Sequence, residues 1–170
     1  MPGVLARLAG SRPSRSAHRF ELRRLFLLTV TSERLQAIMA RPIPIGVRGE
    51  ATETVELKHT LSAHHPQLPP VYSTPDMIRL METAAFQALQ PYCDEGEITV
   101  GTSIHIDHRA ASGIGRQICA EAELESFDGR FYTLRVRAHD GSQEIGRGTI
   151  GRAVVHIPSF VKRMREKAGG

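Results

Sequence analysis

The chain has no tryptophan among its 170 residues and few aromatics of any kind, so a core must be built from Val, Ile, Leu, Ala and Met. It has only two cysteines, Cys93 and Cys119, too few for a disulfide framework and without metal-ligand spacing. They read as free thiols of a reducing compartment, which favours the cytoplasm. Long apolar runs are missing too. The longest, Leu25 to Leu28 with Val30 nearby, is far too short to cross a bilayer. Acids are scarce in residues 1–38, which hold seven arginines and two glutamates. The formal charge of +4 therefore belongs to that segment, and the remainder is close to neutral. A basic surface for nucleic acid is not implied, and no nucleic-acid motif is present. There is no GxSxG nucleophile elbow and no phosphate loop. The glycines of GIGR (113–116) and IGRGTIGR (145–152) lie in strand-rich surroundings, which argues against a dinucleotide site.

What is present fits one globular domain. Residues 1–38 are expected to be a basic, disordered extension; a transit peptide or a start at Met39 would account for them equally. Residues 39–49 are expected to be a linker and 50–157 the domain, with 158–170 a short basic helix and tail. From Thr52 to Thr60 the pattern alternates, with Val55 and Leu57 on one face of an expected strand. Residues 61–71 hold three prolines and predict a loop, placed as a flap would be before the helix that follows. A long helix follows, with Thr74 expected as its N-cap and Pro75 at its first position. Met77, Leu80, Met81, Ala84, Ala85, Ala88 and Leu89 recur at helical spacing, and Pro91 ends the run.

Everything after the helix alternates: 98–108, 116–127, 130–139 and 144–157. Asp128-Gly129 and Asp140-Gly141 mark hairpins between the last three runs. One strand, one long helix with an apolar side, then four strands predicts an α+β architecture. Its sheet should be antiparallel, of about five strands, and curved around the helix; the hot-dog fold suits this order best.

Five residues stand out chemically. Glu82 lies at the border of the helix's apolar face, between Ile78 and Phe86 on one helical line. Partial desolvation there suits a general base, although a border glutamate also reaches solvent easily. His108 ends a face expected to comprise Val100, Thr102, Ile104, Ile106 and His108, and so should look toward the helix. An imidazole there can relay a proton, or can simply satisfy a backbone carbonyl. His105 and His108 fall on opposite faces, so this HxxH is not a chelating pair, and no metal is expected. Thr74, at the helix start, can meet a polarised carbonyl where free N–H groups gather, or can serve only as a cap. Gly101 would let a ligand approach the strand, and Arg152 could meet a carboxylate, a phosphate or solvent.

The stretches VYSTPDMIRLMETAAFQAL, VGTSIHIDHRAAS and AHDGSQEIGRGTIGRAVVHI resemble the fluoroacetyl-CoA thioesterase-like family of hot-dog proteins, over roughly residues 50–165. The spacing matches as well: eight residues from Thr74 to Glu82, then twenty-six to His108. The resemblance implies hydrolysis of a small or medium acyl-CoA, with Thr74, Glu82 and His108 as the catalytic set. It also implies that Gly101 and Arg152 lie near the substrate, and that a homodimer carries its active sites at the subunit interface. Neither a cofactor nor a nucleic-acid or membrane partner is implied. Glu82 would act as a base on water or as a nucleophile. The segment AHHPQLPPVY lacks the phenylalanine-bearing lid of the fluoroacetyl enzyme, so specificity for fluoroacetyl is not inherited. A non-catalytic binder of an acyl-CoA is the alternative. A hot-dog hydratase ranks last, because no Asp-x-Asn-x-x-x-His arrangement surrounds His108.

Overall fold

A computed structural model describes residues 43–169 of the chain. The expectations for residues 1–38 lie outside the described residues. Strands β1 (Arg48–Thr54), β2 (Glu97–His108), β3 (Gln117–Phe127), β4 (Tyr132–His139) and β5 (Glu144–His156) form one sheet. Its order is β1-β3-β4-β5-β2, and every pairing is antiparallel. Helix α1 (Leu61–His64) is a single turn, α2 (Thr74–Leu89) is the long helix, and α3 (Ile157–Ala168) follows β5.

The apolar positions of α2 decide its place. Met77, Leu80, Met81, Ala84, Ala85, Ala88 and Leu89 are all buried, and the helix contacts all five strands. Facing them are Ile118, Ala120, Ala122, Leu124, Leu134, Val136, Ala138 and Ile150, the alternate residues of the strands. Each buried Leu, Ile or Met side chain contributes about 1.5–3 kcal/mol of transfer free energy, so this seam is the main source of stability. The alanines bring helix and sheet close together. At Gly49 a Cβ would lie 2.3 Å from the Ala84 carbonyl oxygen, so β1 can cross α2 there only without a side chain.

Three local expectations need correction. The first strand begins at Arg48 and ends at Thr54, and a 3-10 turn at Leu57–His59 replaces its expected second half. Val55 is buried, but Leu57 is 59% exposed, because the turn swings it off the inward face. Packing also begins before Glu50: Ile43 is buried in the core, and the Gly46 N–H donates to the Leu124 carbonyl. Finally, β2 carries a bulge between Gly101 and Ser103. Before it, Thr99 and Gly101 face inward rather than Val100; Thr99 is 2% exposed and Gly101 is opposite buried Arg152. After it, Ile104, Ile106 and His108 hold the inward phase expected for them, with Ile104 opposite buried Ile150. The extra residue switches the alternation.

Both Asp-Gly turns form. Asp128 accepts from the Arg130 and Phe131 N–H groups, and Asp140 from those of Ser142 and Gln143.

Candidate active site

Two polar clusters lie where α2 faces β2. The first is at the start of the helix, and the capping pattern creates it. Ser73, not Thr74, is the N-cap: its hydroxyl accepts from the Asp76 N–H at 3.2 Å and donates to the Asp76 carboxylate at 2.5 Å. Thr74 is therefore the first helical residue, exposed, with its hydroxyl free of capping duty. That hydroxyl lies 2.8 Å from Nδ1 of His108. On the other side of the ring, Nε2 lies 3.0 Å from the Ala110 carbonyl oxygen. A carbonyl can only accept, so Nε2 carries the hydrogen of the neutral ring and Nδ1 is left as an acceptor. With no hydrogen on Nδ1, the Thr74 hydroxyl is the donor of this pair. A hydroxyl joined to an imidazole acceptor beside a helix N-terminus can pass on a proton and can meet developing negative charge.

The second cluster surrounds Glu82, eight residues and about 12 Å further along the helix axis. Oε1 of Glu82 is 3.6 Å from Nη1 of Arg152, in a side chain that keeps 36% of its surface exposed. Arg152 itself is 5% exposed and firmly held. Its Nε donates to Thr99 Oγ1 at 3.0 Å, Nη2 to the Thr99 carbonyl at 2.8 Å, and Nη1 to the Glu82 carbonyl at 3.4 Å. Its guanidinium also lies 5.9 Å from the Phe86 ring centre. Burial lowers the guanidinium's pKa from its ordinary value, and the Glu82 charge opposes that shift. Of the partners considered for Arg152, the carboxylate is the one beside it. Gly101 completes the cluster, because a Cβ there would stand 2.4 Å from Glu82 Oε1. The missing side chain is the space the carboxylate occupies.

Within one chain, then, Thr74 meets His108, while Gly101 and Arg152 meet Glu82. Among the described residues no hydrogen bond or ion pair joins the two clusters.

The sequence reading missed Ser73 and Thr99. Ser73 with Asp76 has capping-box spacing, but Thr74 followed by Pro75 offered a competing signal. Thr99 became an inward partner only through the bulge. A further group was also unforeseen: Tyr72 and Arg79 both donate to Glu53, and His59 Nε2 lies 3.8 Å from the same carboxylate. Burial, with Glu53 adjacent, pushes the Tyr72 phenol well above its ordinary pKa, so it stays a donor. This group ties β1 and the 57–73 segment to α2.

Comparison with known proteins supplies independent information. A sequence profile of the fluoroacetyl-CoA-specific thioesterase family, FlK, matches residues 55–157. A fluoroacetyl-CoA thioesterase of Streptantibioticus cattleyicolor is 41% identical over 115 residues, covering 68% of this chain and 83% of that one. A solved structure of the fluoroacetyl-CoA thioesterase FlK superposes with a TM-score of 0.69 at 37% identity, covering 75% of this chain and 98% of the other. A thioesterase superfamily member from Thermus thermophilus superposes with a TM-score of 0.69 at 25% identity, over 76% of this chain and 98% of that one. A hot-dog-like protein from Thermanaerovibrio acidaminovorans shares the fold at 23% identity and a TM-score of 0.70, over 75% and 95% of the two chains.

Proposed function

The chain belongs to the fluoroacetyl-CoA-specific thioesterase family, and from that premise we propose that it hydrolyses a small or medium acyl-CoA to the free acid and CoA through Thr74, Glu82 and His108. The observation that carries the assignment is the 2.8 Å contact between the Thr74 hydroxyl and His108 Nδ1, which is not a capping contact because Ser73 caps the helix. In this reading the thioester carbonyl lies at the start of α2, where Thr74 steadies its oxygen and His108 handles the proton. Glu82 supplies the attacking oxygen, either from water it deprotonates or from its own carboxylate through an anhydride. Arg152 orients that carboxylate from behind, and Gly101 leaves the passage to it open. A thioester is already an activated acyl group, so a base and an oxyanion site suffice for the chemistry.

The two clusters are separate in one chain, and a second copy offers the means to join them. Strand β2 is an edge of the sheet, twelve residues long, with Thr102, Ser103, Ile104 and His105 exposed along its middle. Such an edge invites pairing. Antiparallel pairing of two β2 strands centred between Ile104 and His105 would set His108 of one beside Gly101 of the other. The Thr74–His108 pair of one copy would then face the Glu82 cluster of its mate. We take the working unit to be this homodimer. Two cysteines are too few for a disulfide framework, which suits a reducing compartment, and the cytoplasm is the location proposed. No helix among the described residues is long and apolar enough to cross a membrane.

The experiment is a panel of short, branched and aromatic acyl-CoAs offered to the full chain, with free thiol measured as it is released. Turnover on at least one small or medium acyl group is expected. Saturable binding without thiol release would replace the hydrolase with a non-catalytic acyl-CoA binder.

A further inference from the structure

The outer face of the sheet, turned away from α2, carries a second constellation that thioester hydrolysis does not use. Cys119 on β3 and His139 on β4 are direct cross-strand partners, and Glu121 lies two residues along β3 from Cys119 on the same face. One donor atom from each of Cys119, Glu121 and His139 lies within 4.8 Å of the other two. His139 Nε2 is 3.8 Å from Glu121 Oε1. From β1, Glu50 stands opposite Glu121 and accepts a hydrogen bond from the Cys119 thiol at 3.1 Å. We propose that Cys119, Glu121 and His139 form a binding site for a zinc-class divalent ion, with Glu50 drawing in the cation and the fourth position open to solvent.

Geometry and donor chemistry both support this. A tetrahedral zinc bound by sulfur, nitrogen and oxygen spaces its donors about 3.3–3.5 Å apart, given bond lengths of about 2.0–2.3 Å. The three side chains need only small rotations to close to that spacing, and paired strands hold their backbones in register. A thiolate with an imidazole selects zinc or its neighbours over calcium and magnesium, which take oxygen donors. Three protein ligands with an open position is a familiar zinc layout. Two carboxylates directly opposite each other are moreover a repulsive cross-strand pair. Arg137, opposite Glu121 on β4, offsets part of that repulsion, and a bound cation would relieve the rest.

The other charged groups on this face include Arg48 and Arg135, both paired with Glu123, Asp107 and Arg137 on either side of Arg147, and Glu144, opposite His139. Glu144 Oε1 is 3.6 Å from Arg147 Nε and 3.9 Å from Arg109 Nη1, so it is engaged elsewhere. Burial, with Glu50 and Glu121 close by, pushes the Cys119 thiol up to about 11. Binding forms the metal–sulfur bond, breaks the S–H bond and releases one proton through Glu50 to solvent.

The test uses the full chain, stripped of metal and kept reduced without added thiols. Zinc chloride is titrated in competition with a chromophoric chelator, and cobalt chloride is followed by its electronic spectrum. One ion per chain is expected, with a near-ultraviolet thiolate-to-cobalt charge-transfer band and a raised melting temperature. Cys119→Ser and His139→Ala, both at half-buried positions of the outer face and checked for cooperative melting, should each weaken binding by about 100-fold or more. Uptake that is not stoichiometric, equal uptake by the double variant, or a cobalt spectrum without the thiolate band would overturn the site.

Discussion

At the scale of single residues, the space at position 101 decides where Glu82 can stand. In Gly101→Ala the new methyl would meet the far end of a flexible side chain, which can swing away. We expect stability to change by less than about 1 kcal/mol. Moving a reacting carboxylate by about an ångström should meanwhile cost about 10²-fold in kcat. Steady-state kinetics beside a thermal melt would check both halves. Asp140 provides a contrasting case, a carboxylate with a purely structural role. Its Oδ1 accepts from Ser142 and Gln143, while Oδ2 accepts from Ser112 and lies 3.8 Å from Arg116 Nε. The Ser142 hydroxyl, with the other donors, holds its carboxyl well below the usual carboxylate range, against the opposing effect of burial. A depressed folded pKa gives stability that is present above the unfolded value of about 4 and lost as pH falls through the folded one. Asp140→Asn should therefore cost about 1–3 kcal/mol at neutral pH. Denaturant melts at falling pH should show the gap between the two proteins narrowing below about pH 4.

At the scale of elements, the helix start links stability to the candidate chemistry. Ser73 holds the cap, and only for that reason is the Thr74 hydroxyl available to His108. Ser73→Ala should cost about 1 kcal/mol, as loss of an N-cap does. It should also lower turnover, because Thr74 would become the nearest hydroxyl able to satisfy the freed Asp76 N–H. A melt and a rate measurement on this one variant would separate the two effects. Much of the secondary structure was legible because it rests on periodicity. The seven apolar positions of α2 are its buried face, and the two Asp-Gly pairs form the turns expected of them. Non-periodic features were harder to read. The bulge after Gly101 adds one residue, which no alternation can announce, and so Val100 was placed on the wrong face. The swing of Leu57 into a 3-10 turn depends on the Glu53 group, whose members come from β1, the 57–73 segment and α2. The candidate site was legible in part. His108 was expected to face the helix and does, whereas the pairing of Arg152 with Glu82 depends on contacts far apart in sequence.

At the scale of the whole molecule, one chain holds two separate polar clusters on the same helix, and the exposed edge of β2 is the means proposed for bringing them together. Sedimentation equilibrium of the full chain should return twice its monomer mass; a monomer that remains fully active would remove the need for pairing. The family relation fixes the reaction class, and the two clusters on α2 are the groups proposed for it. The most direct measurement is the rate of CoA release by Glu82→Gln, compared with the unaltered chain at matched thermal stability. The account predicts a fall of about 10²–10⁴-fold. Hydrolysis at the original rate in that variant would contradict it.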